Sequence, residues 1–444
     1  MNRLISTLRD IVENSEFAGK TYLVGGFVRD LVLSRSSYDI DILVDLPNGG
    51  IKLANYLYKK GIVSKPVIFP RFGTAQVEWQ NYKLEFVMSR AEKYKHNSRK
   101  PTVRNASLYE DIRRRDFTIN TLLMDISNGE ILDLLNQGKS DIANKIIRTT
   151  QEPQRIFQED PLRMLRAVRF AVQLNFSIEK NTYKALTEQA KSLGKISWER
   201  KRDEVSKIII SDSPVRGMNL LKDTKLLRMI IPELIPTSGC YQNEFHYEDV
   251  WDHTMRVTKA VPNDLLLRFA ALLHDIGKPQ SKTLGNKKNN FYGHEKISAH
   301  MAEIILKRFK FSNDFIKKVK FLILNHLRTH NFGTNSEIVT DKKIRKLIYD
   351  ADYLLNELLE LIHADNLAKK NAKKKQVPEL KRRISKLNFG KSKFPVKGND
   401  IMKYFSIPPG EKVGKLLKQA KEIWLQHPEW DKEAILRKLN KVRH

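Results

Sequence analysis

Asp39 and Asp41, in the segment DIDILV, are the first residues of this chain whose types and spacing suit chemistry. Residues two apart on a strand face the same way, so the two carboxylates share one face while Ile40 and Ile42 sink into a core. Mg2+ takes oxygen ligands and shares them with phosphates, so paired carboxylates suit Mg2+ carrying a nucleoside triphosphate. The bland alternative is an exposed strand edge with two solvated acids. Upstream, Gly25-Gly26 reads as a turn where backbone approaches a ligand closely, and a short helix from Phe27 to Leu33 carries Arg29 and Asp30. Together these features point to a nucleotidyl-transfer site.

Two arginine-rich segments follow. Asp111 to Asn120 reads DIRRRDFTIN and turns apolar at once, which puts the last of its three arginines, Arg115, near a core. Asp160-Pro161 signals a helix start, with Asp as the N-cap and Pro at the first helical position. Arg163, Arg166 and Arg169 then recur every third residue, a row that drifts about 60° per step around a helix. The four residues therefore cannot all face one point, whereas Asp160 and Arg163 can. An Asp-Arg pair offers acceptors and donors in one plane, able to pair with the edge of a base.

A second constellation lies in the other half of the chain: His253, His274-Asp275, His294, His326 and Asp365. A single histidine on any of these segments is more often a satisfied core or surface residue. Five segments in the order H, HD, H, H, D are far more specific. Neutral imidazoles with carboxylates suit a divalent transition metal, or a mixed pair with Mg2+. His330 lies one turn after His326 and can replace it.

The elements that must hold these residues can be read in outline. Tyr22–Val24 and Asp39–Val44 read as strands, 51–60 as a helix, and 73–79 with 83–87 as a hairpin around Gln80-Asn81-Tyr82. Glu85, on the second hairpin strand, is either a third carboxylate near the metal or a solvated strand residue. Residues 89–110 are polar, basic and aperiodic and read as a flexible loop; 129–150 read as a hairpin and a short helix, and 177–244 as helical. Beyond Leu367 come AKKNAKKKQ and KRRISKL, basic runs without interleaved aromatics that suit phosphate tracking, with a solvated helix as the alternative. A small helical module entered by Pro408-Pro409-Gly410 ends the chain.

At 444 residues the chain can bury several cores, and 80 Lys and Arg against 51 acidic residues, a net charge of +29, imply a polyanionic partner such as RNA or DNA. No apolar run approaches the length of a spanning helix, so a membrane fits less well. The opening residues read as an amphipathic helix rather than a signal peptide. Cys240 is the only cysteine, which excludes disulfides within the chain and Cys-type zinc sites. A cytoplasmic protein is expected.

LVGGFVRD followed by DID resembles the signature of the class II tRNA nucleotidyltransferases, the CCA-adding enzymes and bacterial poly(A) polymerases of the polymerase-β-like superfamily. Leu33-Ser34 departs from the family's frequent Leu-Gly there, in a turn that leaves the carboxylates untouched. Arg114 to Asn120 matches the family's Arg-Arg-Asp-Phe-Thr-Ile-Asn, which implies that Arg115 contacts the nucleotide and that Asp116 and Asn120 lie near the sugar. A guanidinium fork binds triphosphate oxygens two at a time. Glu159-Asp160 with Arg163 matches the segment that selects C and A without a nucleic-acid template, and Gly26, Arg29, Arg166 and Arg169 match further nucleotide-binding positions. ISWER with Glu204 and Lys207 resembles a structural brace between head and neck, and H, HD, H, H, D looks like a complete HD phosphohydrolase domain. Family members that add only CC have a shortened loop where 89–110 is full length, which favours terminal A addition.

The resemblance implies an α+β polymerase-β-like nucleotidyltransferase head (1–145), then an all-α neck (146–245), an HD domain (246–370) and a basic tRNA-binding tail (371–444). It also implies addition of C, C and A to the 3′ end of tRNA from CTP and ATP, with Mg2+ in the head, a divalent transition metal in the HD domain and no obligate protein partner. Rival expectations are a poly(A) polymerase, an A-adding enzyme, or an HD phosphohydrolase whose head binds RNA.

Overall fold

Helix α1 (Asn2–Glu13) leads into β1 (Thr21–Val24), α2 (Gly26–Val32), β2 (Asp39–Val44), α3 (Gly49–Lys59), β3 (Val67–Phe69), β4 (Thr74–Trp79) and β5 (Tyr82–Met88). Next come β6 (Arg90–Lys93), β7 (Thr102–Asn105), α4 (Leu108–Arg113), β8 (Leu123–Asp125), β9 (Ile131–Leu132), α5 (Gly138–Ala143) and β10 (Ile146–Ile147). The computed structural model describes residues 2–93, 102–241, 248–282, 291–329, 339–369, 374–387, 389 and 393–442. These divide into two units, Met1–Ile235 and Pro236–His444.

In the first unit β1 to β5, β8 and β9 form one sheet in the order β3-β4-β5-β2-β1-β8-β9. Strand β2 sits at its centre, antiparallel to β1 and parallel to β5, with Asp41 in register with both Val24 and Glu85. Ile40, Ile42, Leu43 and Val44 are fully buried, so β2 alternates only over its first half, where the carboxylates emerge, and is covered on both faces beyond. Helix α3 lies against β5 so closely that a Cβ on Gly50 would fall 2.7 Å from the Phe86 carbonyl carbon and oxygen. That approach requires glycine.

The unit continues with α6 (Pro153–Glu159), α7 (Leu162–Gln173), β11 (Ser177–Ile178), α8 (Lys180–Gln189), α9 (Trp198–Ile209) and α10 (Pro214–Asp223). Helix α7 packs against α9 and α10 and buries Met164, Leu165, Ala167, Val168 and Ala171 completely.

In the second unit the described regular elements are helical. They are α11 (Val250–Ala260), α12 (Leu265–Leu273), α13 (Lys278–Ser281), α14 (His294–Arg308), α15 (Asn313–Asn325), α16 (Asp341–Ala351), α17 (Leu355–Leu367), α18 (Gln376–Leu387), α19 (Gly398–Phe405), α20 (Glu411–Gln426) and α21 (Lys432–Lys441). Helix α12, LLLRFAALL, is apolar almost all round and accordingly packs against α11, α15 and α17. Trp424, 1 % exposed, anchors the last helices against Phe389, Phe394 and Tyr349. The chain is thus an α+β head with a mixed sheet followed by a helical remainder.

Several expectations are corrected. Part of the loop at 89–110 is an antiparallel ribbon of β6 and β7, with 94–101 outside the described residues, and Ser107 with Glu110 forms a capping box that starts α4. Its strands carry charged side chains, so no apolar alternation marks them. The helical stretch after Ser177 begins with β11, which pairs in parallel with β10. Helix α7 starts at Leu162, one residue later than read: Pro161 is its N-cap and Asp160 is extended. In the basic segment, Lys381, Arg382 and Arg383 of α18 form ion pairs with Glu360, Glu379 and Asp341. His330 and residues 370–373 of the first basic run lie outside the described residues.

Candidate functional site

A cleft of about 500 Å3 opens in the first unit over the end of β2 where the carboxylates emerge. All nine residues expected in the head site line it: Gly26, Arg29, Asp39, Asp41, Arg115, Asp160, Arg163, Arg166 and Arg169. Gly25, just before α2, has φ +71, and a Cβ there would lie 3.2 Å from Asp41 Oδ2 and 3.4 Å from Arg115 Nη1. The turn is therefore glycine both for its backbone and for the space over the carboxylates.

Burial pushes the Asp41 carboxyl up to about 6, Arg115 pulls it down, and Glu85 and Asp39 push it up again. Three acids facing one another over a half-open floor are what a divalent cation relieves. Glu85 belongs to this group by register, directly beside Asp41 on β5 and held by Gln76 Nε2 at 3.4 Å. The donor set is all oxygen, which fits Mg2+.

Opposite the carboxylates lies a network that fixes the arginines. Arg29 donates to Asp30 and, at 2.8 Å, to Asn120 Oδ1; Asn120 Nδ2 donates to Asp116 Oδ1 at 3.1 Å; Arg166 Nε donates to Asp116 Oδ2 at 2.7 Å. Burial alone would raise Asp116, but Arg166, the Asn120 amide and Arg163 overcome it and hold the carboxyl at about 2. Its ionised form therefore stabilises the fold above the ordinary carboxylate range, and that contribution is lost as pH falls through about 2. Asp116→Ala, leaving Arg166 and Asn120 without their acceptor, is expected to cost about 3 kcal/mol at pH 7, read from urea unfolding. A loss under about 0.5 kcal/mol would show the network to be slack.

The arginine row departs from the expected geometry, because Asp160 and all three arginines line the same cleft. Long stems let the guanidiniums fold toward it from different sides of α7, each fixed by its own partner. Arg163 Nη2 donates to the Arg114 carbonyl at 2.8 Å, and Arg169 Nε to Glu204 Oε2 at 2.6 Å. The faces of Phe170 carry Arg29, Arg166 and Arg169 at 5.1, 5.3 and 4.0 Å from the ring centre. Asp160 plays two parts, since Oδ1 accepts from the amide of Leu162, the first residue of α7, at 3.1 Å, while Oδ2 accepts from Arg200 Nη2 at 2.8 Å.

Sequence reasoning missed Arg200, which enters the cleft from the segment read as a structural brace. It also missed Asp111, fully buried, which holds Arg114 at 2.6 Å through Oδ1 and Arg115 at 3.0 Å through Oδ2. A carboxylate three and four residues before two arginines on a helical stretch was the available signal.

In the second unit His253, His274, Asp275, His294, His326 and Asp365 are all buried and converge. His274, Asp275 and His326 bring ligand atoms within 4.8 Å of one another, as do His253, His274 and Asp365. His274, His294 and His326 each donate Nδ1–H to the carbonyl three residues back, at 2.7, 2.6 and 2.6 Å. In the neutral ring this leaves a lone pair on Nε2, the tautomer of a metal ligand. Those Nε2 atoms lie 3.2, 3.1 and 3.8 Å from Asp275 oxygens, and the His274 and His294 contacts lack hydrogen-bond alignment. Lone pairs aimed at a carboxylate repel unless a cation lies between, so the residues fit a metal, and the nitrogen-rich set suits a transition metal. Without one, a proton is the substitute. Burial lowers His274 but Asp275 beside it raises it overall, while burial and the charge of His274 push His326 down to about 3.

Comparison with known proteins adds three family matches: "Poly A polymerase head domain" over residues 21–148, "Probable RNA and SrmB- binding site of polymerase A" over 175–237, and "HD domain" over 245–369. An A-adding tRNA nucleotidyltransferase of Deinococcus radiodurans is 30% identical over 336 residues, 71% of this chain and 75% of the relative. A CCA-adding enzyme of Lactobacillus helveticus is 39% identical over 221 residues, 49% of this chain, so the match spans only 53% of that relative. Among solved structures, the Bacillus stearothermophilus CCA-adding enzyme in complex with CTP superposes with a TM-score of 0.72 at 24% identity, covering 100% of this chain and 99% of that one. The fold is therefore shared from end to end. No helix among the described residues is long and apolar enough to cross a membrane.

Proposed function

The chain belongs to the tRNA nucleotidyltransferase family, and from that premise we propose that it adds C, C and A to the 3′ end of tRNA from CTP and ATP, without a nucleic-acid template. The observation that carries this reading is one cleft that holds both the Asp39/Asp41 pair and Asp160 with Arg163. Asp39, Asp41 and Glu85 would hold Mg2+, which supplies charge neutralisation at the triphosphate and an acidified hydroxyl. The Gly25-Gly26 turn and the start of α2 take the phosphates close to backbone, and Arg115, braced by Asp111, meets their oxygens. Arg29, Arg166 and Arg169, packed on Phe170, add positive charge along the cleft. The terminal 3′-hydroxyl of the RNA bonds to the α-phosphorus, pyrophosphate leaves and the hydroxyl proton is released.

Asp160 and Arg163 read the base edge, and Arg200 orients Asp160. Asp160→Ala is therefore expected to weaken preference for CTP and ATP over UTP and GTP by roughly tenfold, as each lost hydrogen bond to a base edge removes about 1–2 kcal/mol of discrimination. Competition assays with all four nucleotides test this. The same substitution also removes the acceptor of the Leu162 amide, at about 1 kcal/mol, so a lower melting temperature with unchanged selectivity would leave the residue a structural role alone.

The A-adding relative supports a second reading, in which this chain supplies only the last nucleotide. Purified protein with tRNA lacking its 3′ end, given CTP and ATP separately and together, separates the two. Addition of CCA upholds the proposal, addition of A only to tRNA ending in CC supports the second reading, and long A tracts would mark a poly(A) polymerase.

For the second unit we propose phosphohydrolase activity at the cluster of His253, His274, Asp275, His294, His326 and Asp365. These residues would hold a divalent transition metal, which supplies Lewis-acid polarisation of a phosphoryl oxygen and an acidified water. A phosphate left at a damaged tRNA 3′ end is a fitting substrate, since its removal regenerates the hydroxyl that the first unit needs.

A further inference from the structure

Two lysines sit on the metal-ligating carboxylates of the second unit, where nucleotide addition has no use for them. Lys369 lies one turn beyond Asp365, with Nζ 2.5 Å from Asp365 Oδ2 and its side chain 18% exposed. Lys278 lies one turn beyond Asp275, with Nζ 2.6 Å from Asp275 Oδ2 and its side chain 8% exposed. An ammonium beside a metal ligand competes with the metal for the carboxylate and repels the incoming cation. For a cluster that served only to hold an ion, both lysines would be a defect.

They make sense once a substrate is added. The two ammoniums cancel the two carboxylates and the neutral imidazoles contribute no charge, so a divalent cation bound there keeps its full double charge. A phosphomonoester dianion matches that charge; a cyclic or linear phosphodiester, with a single negative charge, meets half of it. An ammonium is also a compact point donor for non-bridging phosphate oxygens. Resting on the phosphohydrolase reading above, we propose that the second unit recognises terminal phosphomonoesters in preference to phosphodiesters, and that Lys369, with Lys278, is the specificity-determining phosphate contact. In the reaction a water oxygen bonds to phosphorus, the ester P–O bond breaks, and the proton lost by water goes to the departing alkoxide.

The test uses the full chain loaded with Mn2+ and needs no turnover. At pH 8, wild-type protein should bind inorganic phosphate at least tenfold more tightly than dimethyl phosphate by calorimetry, with the chain carrying His274→Ala and Asp275→Ala as the blank for phosphate held by other basic surfaces. Lys369→Met should lose most of that preference and Lys369→Arg, which keeps the charge, should retain it. Mn2+ itself should bind Lys369→Met as tightly as wild type or more tightly, whereas a merely structural lysine would lose metal affinity and melting temperature together. Equal binding of the two anions by wild type, or an unchanged preference in Lys369→Met, overturns the proposal. The phosphohydrolase reading fails separately, by absence of ester turnover with any metal, and an intact phosphate preference would then still uphold the recognition proposed.

Discussion

Asp41→Asn is expected to abolish nucleotide addition and, in the absence of metal, to make the protein more stable. Activity should fall roughly a thousandfold or more, because a neutral amide cannot help to neutralise the triphosphate through a shared ion. Binding of tRNA should persist, since the +29 net charge of the chain is essentially unchanged. The stability gain follows from the carboxyl, whose pKa rises from 3.8 to about 6 on folding, chiefly through burial. Folding then favours the protonated form, so ionised Asp41 destabilises the metal-free fold. That cost is absent below about pH 4, grows between the two values and is complete above about 6. A shift of this size corresponds to about 3 kcal/mol, or about 2 kcal/mol once the open side of the cleft is allowed for. Urea unfolding in chelator should show Asp41→Asn more stable by that amount at pH 8 and equal to wild type near pH 4. Mg2+ should shrink the difference by stabilising wild type alone. Asp39 is exposed at the strand end, so Asp39→Ala should lose activity without the gain. Full activity in either variant would remove these residues from the proposed site.

The sequence made the polar half of each site legible because the chemistry uses rare combinations. Asp39 and Asp41 flank buried isoleucines, and the structure puts both on the floor of one cleft. The six metal-ligand candidates of the second unit come from five segments, and the fold brings them together. What escaped was the support around them. Asp111 was lost in a charged stretch, since a sequence does not say which of several acids is buried. Arg200 passed as structural because its reach into the cleft depends on how α9 packs along α7. The β6–β7 ribbon escaped for a different reason, as its pairing rests on backbone hydrogen bonds rather than an apolar face. Helical drift holds for Cα positions, while arginine stems span several ångströms and bring Arg163, Arg166 and Arg169 to one cavity.

Exchanging His274 and Asp275 together for alanine is expected to remove phosphate hydrolysis and leave nucleotide addition within about twofold of wild type. Asp275 is the hub of the second cluster, with His274, His294 and His326 all facing it and Lys278 paired to it. Loss of the hub and one ligand should lower metal affinity by at least a hundredfold, since each ligand and its support typically carries 10- to 100-fold. Hydrolysis of a 2′-phosphate or 2′,3′-cyclic phosphate with added Mn2+, Ni2+ or Co2+ should then fall to background. Stability is the complication, because the exchange leaves Lys278 without its carboxylate and opens space beside α12. Asp275→Asn keeps the volume and should lose metal and hydrolysis with a smaller change in melting temperature. Nucleotide addition should survive both exchanges, because every residue lining its cleft lies within Met1–Ile235. Loss of both activities in Asp275→Asn, with the melting temperature kept, would mean that the two sites act as one.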